Sequence, residues 1–464
     1  MLKFFHTYFP IRNLLFFLGE GALIFGSLVA ASHVALDLWE PTAGARHSMT
    51  LRMLITTVVV QLSLYYHELY EIKARESVFE LGTRILQALG MACILLAGLY
   101  YLDRKLIIAN KIFFLALFLL VFGLLSWRFA YQYICERKIL TERIFLLGNG
   151  QLANLIAREI SRNLDSGYVV NALVDPHAAT DRHPVWNCPI HRDYDTLCEE
   201  ALSGGIRKIV VALDERRGSF PVRALLRCKM MGISVLDGVA FYEALSGRIP
   251  VERAHPSWLI FSEGFRRHRL LTAGKRLLDI AFALAGLVLT APVMLVAACA
   301  VKLTSEGPVF FRQERVGQYE RPIEIIKFRT MVQDAEKRTG AVWASENDPR
   351  VTPVGRVLRK LRLDELPQFW NVLRGDMSFV GPRPERPVFV ARLKEQIPFY
   401  GERHVVKPGI TGWAQVNYGY GASEEDALRK LEYDLFYIKH MSLFLDLYVV
   451  LKTVQIVLFG KGAR

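Results

Sequence analysis

Paired cysteines are missing from this 464-residue chain. Its six cysteines, Cys93, Cys135, Cys188, Cys198, Cys228 and Cys299, form no Cys-x-x-Cys pair and no Cys/His zinc spacing. That argues against a disulfide scaffold or a structural zinc module, and for reduced thiols facing the cytoplasm or lipid. Any nucleic-acid motif is missing too, so the net charge of +13 points to anionic headgroups or phosphorylated substrates and not to nucleic acid. No cleavable leader is expected: the first apolar run lacks a small-x-small exit, and further runs follow it.

Charge is nearly absent from four stretches in the first third: Asn13–Ala31, Met53–Tyr66, Ile85–Leu102 and Ile112–Ala130. A helix of about 20 residues crosses the hydrocarbon core, so residues 1–135 read as a four-helix transmembrane bundle. Four spans put both ends on one side. Lys3, Arg12, the Lys73–Arg75 loop, Arg137, Lys138 and Arg143 assign that side to the cytoplasm, against Arg104, Lys105 and Lys111 in the opposite loop. Glu20 interrupts the first run and reads as a polar contact with another helix.

From residue 140 to 250 the pattern changes to alternating strands and helices: Ile144–Leu147, Gln151–Ile160, Tyr168–Val174 and Ile206–Leu213. This is the signature of a Rossmann-like parallel α/β domain. Gly148-Asn149-Gly150-Gln151-Leu152-Ala153 forms a G-x-G-x-x-A turn between the first strand and helix, and Asp175 closes the second strand. Gly148 and Gly150 are therefore candidate cofactor-binding positions, set where a pyrophosphate approaches a helix N-terminus. The alternative is a module whose ligand is lost or unknown.

The third section, 265–464, opens with an apolar run, Leu277–Val301, that carries Pro292 near its centre. Proline removes a helix hydrogen bond, so a kink or break is expected there, with Thr290 placed to satisfy a freed carbonyl. Lys275 and Arg276 before the run and Lys302 after it favour one side of the membrane, which makes 277–301 a re-entrant helix.

Beyond it the polar residues concentrate. Lys327 and Arg329 end an apolar strand and fall on one face of it. Arg359 lies just ahead of Asp364-Glu365-Leu366-Pro367, where Pro367 suits the first position of a helix that Gly375 ends. Gly381-Pro382-Arg383-Pro384 is a rigid loop that displays one guanidinium. The two carboxylates fit simple helix capping. They also fit a carboxylate nucleophile beside a metal-binding carboxylate, with the neighbouring cations gripping a diphosphate.

Several stretches resemble one family. They are Gly307-Pro308-Val309-Phe310-Phe311-Arg312-Gln313-Glu314-Arg315-Val316-Gly317, Lys327-Phe328-Arg329, Leu363-Asp364-Glu365-Leu366-Pro367-Gln368, Gly375-Asp376-Met377-Ser378, Gly381-Pro382-Arg383-Pro384, and Lys407-Pro408-Gly409-Ile410-Thr411-Gly412-Trp413-Ala414-Gln415-Val416. From about Lys275 to the end, the chain resembles the bacterial polyprenyl-phosphate hexose-1-phosphate transferases, the monotopic phosphoglycosyl transferases. The whole layout is similar to their large members. The segments Tyr418–Ser423 and Tyr433–Tyr437 resemble the branch linked to exosortase-associated exopolysaccharide loci. One departure is Ala291-Pro292, where relatives often carry Ser-Pro.

The resemblance implies a multi-pass protein of the bacterial inner (cytoplasmic) membrane, α plus α/β in class, with its catalytic domain on the cytoplasmic side. Asp364 would attack a UDP-sugar, releasing UMP, and a polyprenyl phosphate such as undecaprenyl phosphate would accept the hexose 1-phosphate, initiating exopolysaccharide synthesis. Glu365 would hold Mg²⁺, while Lys327, Arg329, Arg359, Arg383 and Gln415 would bind substrate. Partners would be these two substrates and membrane lipids, with a homo-oligomer left open.

Three other readings are weaker. An NAD-dependent nucleotide-sugar enzyme would use the Gly148–Ala153 turn, but the Tyr-x-x-x-Lys pairs Tyr101/Lys105 and Tyr448/Lys452 fall outside that region. Asp193-Tyr194-Asp195 fits a D-x-D glycosyltransferase, a pattern that arises readily by chance. A non-enzymatic assembly scaffold would not need Lys327, Arg359, Asp364 and Glu365 together.

Overall fold

The computed structural model describes residues 2–4, 7–9, 11–36, 43–70, 77–106, 108, 110–137, 141–163, 166–178, 181–183, 185–186, 188–214, 220–254, 256–265, 268–333, 335, 348–419, 421 and 423–458. The Lys73–Arg75 loop and Lys138 lie outside the described residues, and so do the side chains of Lys3 and Arg12. Apart from its first few residues, the chain divides into two compact units, one running to Phe241 and one from Tyr242 onward.

After two short strands, β1 (Leu2–Phe4) and β2 (Thr7–Phe9), the first unit contains four long helices. They are α1 (Ile11–Leu36), α2 (Ala43–Tyr66), α3 (Val78–Leu102) and α4 (Asn110–Glu136). Each is long and apolar enough to cross a membrane. α1 packs on α2 and α4, and α3 on the same two. Ile24, Leu28, Leu64, Ile85 and Leu124 fill the interior, while Val58, Leu86, Ile94, Phe114 and Phe118 point outward. Helices apolar on both faces belong in lipid. Glu20 is fully buried and paired with Arg128 on α4 at 2.6 Å, an interhelical contact of the kind the sequence suggested.

Next comes a five-stranded parallel sheet of order β5-β4-β3-β6-β7. Its strands are β3 (Glu142–Leu147), β4 (Tyr168–Val174), β5 (Ile190–His191), β6 (Lys208–Val211) and β7 (Ser234–Asp237). The strands read as nearly continuous apolar runs because both faces are covered. α5 (Gln151–Arg162) buries Leu152, Ile156 and Ile160, and α6 (Leu197–Ser203) and α7 (Val222–Met230) supply Leu197, Cys198, Leu225 and Cys228 to the core. α8 (Gly238–Ser246) follows β7.

In the second unit, α9 (Pro256–Phe261) precedes the longest helix, α10 (Arg269–Thr304). The backbone is assigned helical without interruption through Pro292, so no break in the helix appears where one was expected. Thr290 Oγ1 donates to Gly286 O at 2.7 Å, its own preceding turn, and not to the Val288 carbonyl that Pro292 leaves without a donor. The two halves of α10 bury different neighbours. Ala283 and Leu287 pack with Phe369 and Val372, and Gly286 leaves room for the Phe369 ring. Ala297 and Val301 pack with Phe328 and Leu358. Leu284, Val288, Leu289, Leu295 and Val296 stay exposed.

The hairpin β8 (Phe310–Val316) with β9 (Pro322–Phe328), then α11 (Pro353–Lys360), α12 (Gln368–Arg374) and β10 (Ser378–Val380), build the site. They are followed by α13 (Pro387–Gln396), β11 (Gly409–Thr411, parallel to β10), α14 (Trp413–Asn417), α15 (Glu424–Lys439) and α16 (Leu443–Leu458).

Candidate active site

Asp364 and Glu365 sit in a single 3-10 turn, Leu363–Glu365, between α11 and α12. The turn is entered through Arg362 at φ 58°, a left-handed conformation that a non-glycine residue holds only under constraint. Pro367 caps α12 and Gly375, at φ 95°, ends it, each within one residue of expectation. The carboxylates thus precede the helix in a strained corner and are not part of its first turn.

Glu365 gathers the cations. Its Oε1 accepts from Lys327 Nζ at 2.7 Å and from Arg383 Nη2 at 2.6 Å, and Oε2 from Arg383 Nη1 at 3.4 Å. Burial opposes its charge, but Arg383 and Lys327 outweigh burial and hold the carboxyl well below the usual carboxylate range. Asp364, only 9 % exposed, has no hydrogen bond to its carboxylate among the described residues. Burial, and then the adjacent Glu365 charge, push its pKa up against the pull of Lys327, Arg359 and Arg383. One carboxylate is locked in ion pairs and its neighbour is left unbonded.

The structure brings Lys327, Arg359 and Arg383 around this pair. Arg359 Nε donates to Thr330 Oγ1 at 2.9 Å, which fixes the side chain while its charge acts on Asp364. Arg329 goes elsewhere. Its Nη2 donates to Ser305 O and Oγ, both at 2.8 Å, and its Nη1 to Glu306 O, so it satisfies carbonyls past the C-terminus of α10. Gln415 donates to Ile410 O at 3.1 Å, within its own loop, and makes no bond to either carboxylate.

Arg383 is aimed by residues whose contacts no motif conveys. β10 leads into its loop, and Asp279 Oδ1 accepts from Ser378 Oγ at 3.0 Å and from Phe379 N at 2.9 Å. Lys275 Nζ donates to Val380 O at 2.9 Å and pairs with Asp446 at 2.7 Å. Gly381 is pressed against Gly409, where a side chain on either would strike backbone. Arg403 donates to Arg383 O at 3.0 Å while held by Asp434 at 2.7 Å, and Arg315 donates to Pro384 O at 3.2 Å. Arg315 was visible as part of a motif, and Asp434 within the Tyr433–Tyr437 stretch, but neither motif says what they hold.

No group of three or more His, Cys, Asp or Glu side chains suited to a metal occurs among the described residues. Mg²⁺ asks for less: one or two carboxylates, with substrate phosphates and water completing its octahedron. Glu365 Oε1 is taken by Lys327 and Arg383, so Oε2, with only its 3.4 Å contact from Arg383, and the unbonded Asp364 are the oxygens that fit that mode.

At the Rossmann-like turn, Gly148 adopts φ 112° where a Cβ would crowd Ala212 O at 2.9 Å. The amides of Gln151 and Leu152 at the start of α5 donate to Asp214 at 2.8 and 3.2 Å, and a side chain on Gly150 would overlap that carboxylate. The turn has the expected shape, but the chain's own anion fills the place where a pyrophosphate would bind. Gly148 and Gly150 therefore frame a carboxylate and not an open cofactor site. Asp175 Oδ1 caps the following turn at His177 N, 3.0 Å.

Comparison with known proteins now adds a family. The bacterial sugar transferase profile matches residues 270–460. A UDP-glucose:undecaprenyl-phosphate glucose-1-phosphate transferase of Xanthomonas campestris pv. campestris is 43% identical over 336 residues, covering 69% of this chain and 68% of that protein. The chain belongs to the bacterial sugar transferase family. All of Lys327, Arg359, Asp364, Glu365 and Arg383 fall inside the family's matched segment.

The relatives do not all carry the same sugar in their names. A UDP-N-acetylgalactosamine-undecaprenyl-phosphate N-acetylgalactosaminephosphotransferase of Aeromonas hydrophila is 46% identical over 242 residues, 52% of this chain and 56% of that protein. A UDP-glucose:undecaprenyl-phosphate glucose-1-phosphate transferase of Escherichia coli (strain K12) is 39% identical over 263 residues, 56% of each. The matches to these two span just over half of each relative's length. A second profile, described as a CoA-binding domain, matches residues 66–228.

Proposed function

We propose that this sugar transferase moves a hexose 1-phosphate from a UDP-sugar to undecaprenyl phosphate, releasing UMP and initiating exopolysaccharide synthesis. The observation that carries the reading is the unequal carboxylate pair: Glu365 bound by Lys327 and Arg383, and Asp364 unbonded beside it.

In the first half-reaction an Asp364 oxygen attacks the sugar-bearing phosphorus. The bond from that phosphorus to the bridging oxygen breaks, and UMP departs with the electron pair. The phosphosugar stays on Asp364 as an acyl phosphate. In the second, a phosphate oxygen of the polyprenyl acceptor attacks the same phosphorus and Asp364 leaves. Splitting the transfer lets one buried carboxylate serve both substrates in turn. Lys327, Arg359 and Arg383 offset the diphosphate charge, and the guanidinium of Arg383 suits two oxygens at once. When bound on Glu365, Mg²⁺ would supply further charge neutralisation at the diphosphate.

The same proposal makes α10 a re-entrant element in the cytoplasmic leaflet and α1–α4 true spans. Supporting it, both ends of α10 are tied to one catalytic domain: Lys275 and Asp279 near its start, Ser305 and Glu306 just past its end. The deciding experiment incubates the full-length protein in detergent or nanodiscs with undecaprenyl phosphate, Mg²⁺ and a panel of UDP-hexoses, and measures UMP. Acceptor-dependent UMP release with a lipid-linked phosphosugar product is expected. UMP without that product, or no release from any UDP-hexose, would overturn it.

A further inference from the structure

We infer that one end of the Rossmann-like domain is a membrane-docking surface fitted to anionic lipid, an inference that rests on α1–α4 being true spans.

Sheet polarity picks out the end. β3, β4, β6 and β7 are parallel and start at one edge, where Glu142 pairs with Tyr168, Ile144 with Lys208, and Lys208 with Ser234. Helices that join parallel strands run back against them, so α5, α6 and α7 all end at that same edge. α4 ends at Glu136 and β3 begins at Glu142, within one compact unit. The short connection between them reaches about 20 Å at full extension. The starting edge of the sheet is therefore the end of the domain tied closest to the bilayer.

Apolar and basic side chains are exposed together there. Leu202, in the last turn of α6, is 49 % exposed, and Met230 and Met231, at the end of α7, are 80 % and 47 % exposed. The Met231 sulfur lies 3.2 Å from that of Cys198 on α6, so the two helix ends are neighbours. Arg162 ends α5, Arg207 precedes β6, Lys229 lies in the last turn of α7, and Arg143 follows Glu142 on β3; all four are exposed. The nearby acidic groups among the described residues are engaged within the domain. Glu142 pairs with Lys208, Glu159 accepts from Asn163 at 3.0 Å, and Glu199 and Glu200 on α6 pair with Arg227 and His191.

That combination selects the partner. Leucine and methionine enter the acyl boundary while lysine and arginine stay with the headgroup phosphates. Each basic residue near an anionic leaflet strengthens binding about five-fold. An acidic protein would meet the same cations, but only the bilayer is held within reach by the chain itself.

The test uses full-length protein in nanodiscs of phosphatidylcholine with phosphatidylglycerol, with the photocrosslinking residue p-benzoylphenylalanine in place of Met230. A phospholipid adduct, read by mass spectrometry, is expected at position 230 and not at His177, which is exposed beyond the opposite end of β4. Arg207→Ser with Lys229→Ser should lower the adduct about five-fold or more, and should change it little in phosphatidylcholine alone. All these positions are exposed, so the fold is not at stake. Phe118, on the outward face of α4, is the control for the spans, and the probe there should crosslink to lipid in every nanodisc. Lipid adducts at 118 without any at 230 would overturn the docking alone, whereas none at 118 would overturn the spans and the docking with them. Crosslinking of position 230 to a second copy of the chain, an adduct equal at 177 and 230, or one indifferent to the two charges would also overturn it.

Discussion

Lys327 Nζ lies 2.7 Å from Glu365 Oε1, and the same oxygen accepts from Arg383 Nη2 at 2.6 Å, so the site's cations bind Glu365 and leave its neighbour Asp364 unbonded. Each member of the pair therefore has a distinct expected phenotype. Asp364→Asn should lose transfer by about 10⁴-fold or more, as covalent nucleophiles do, while its melting temperature stays near the parent's. Glu365→Gln should lose transfer and also lower the melting temperature, since two cations then lose their charged partner. Substantial lipid-linked product from Asp364→Asn would falsify the covalent route.

The raised pKa of Asp364 gives a pH dependence with a definite sign. The nucleophile must be ionised, and burial together with Glu365 makes it bind its proton at a higher pH than an ordinary aspartate. Single-turnover UMP release should therefore fall as pH drops through that raised value, above the ordinary 3.8. Glu365, held well below its usual range, should still be charged there. A rate that stays flat down to pH 4 would show that Asp364 is not the titrating group.

Arg329 and Arg383 should differ in phenotype, the first acting on stability and the second on substrate binding. Arg329→Ala removes three hydrogen bonds at the end of α10 and should cost about 1.5–3 kcal/mol per charged bond lost, at most partly additive. The protein that still folds should keep most of its specific activity. Arg383→Ala should lower the melting temperature too, because the buried Glu365 keeps only Lys327 as partner, but unlike Arg329→Ala it should also raise KM for the UDP-sugar and cut specific activity. Thermal unfolding beside initial-rate kinetics distinguishes the two, and equal patterns would contradict the assignment.

These cases show what the sequence could and could not convey. That Asp364, Glu365, Lys327 and Arg383 stand together was legible because their types cluster in motifs. Arg329 stands apart from them for a physical reason: positions 327 and 329 share a strand face, but β9 ends at Phe328 and the chain turns Arg329 toward α10. Lys275, Asp279 and Arg403 act on β10 and its loop through partners 105, 100 and 20 residues away, and no local pattern encodes such contacts. The Rossmann-like strands were plain from their apolar runs, while Asp214, 63 residues from Gln151, was not.

Asp214 itself carries a prediction. With its carboxylate on the α5 amides, the full-length protein should show no saturable binding of NAD⁺ or coenzyme A at micromolar concentrations by isothermal titration. Gly150→Ala would push the exposed Asp214 side chain aside and should leave sugar-phosphate transfer within about two-fold, a surface-scale effect. Micromolar binding by the parent protein would mean that Asp214 yields to a ligand.

α10 runs 36 residues, and at 1.5 Å per residue that is ample to cross a bilayer. Length alone therefore favours a span. The contacts favour return, because Lys275 and Asp279 on one half, and Ser305 and Glu306 beyond the other, bind the same catalytic domain. Cysteines placed at exposed Ala273 and Glu306 test this in intact cells, in a Cys299→Ala background because Cys299 is exposed on the same helix. Both should react only with reagent that reaches the cytoplasm, and neither should label from outside. Pro292→Ala would give the Val288 carbonyl back its helix donor and stiffen the segment, so it should lower transfer or move Glu306→Cys to outside labelling. Opposite-side labelling in the parent would place the phosphate site across the membrane from its cytoplasmic donor, and the re-entrant assignment would have to be abandoned.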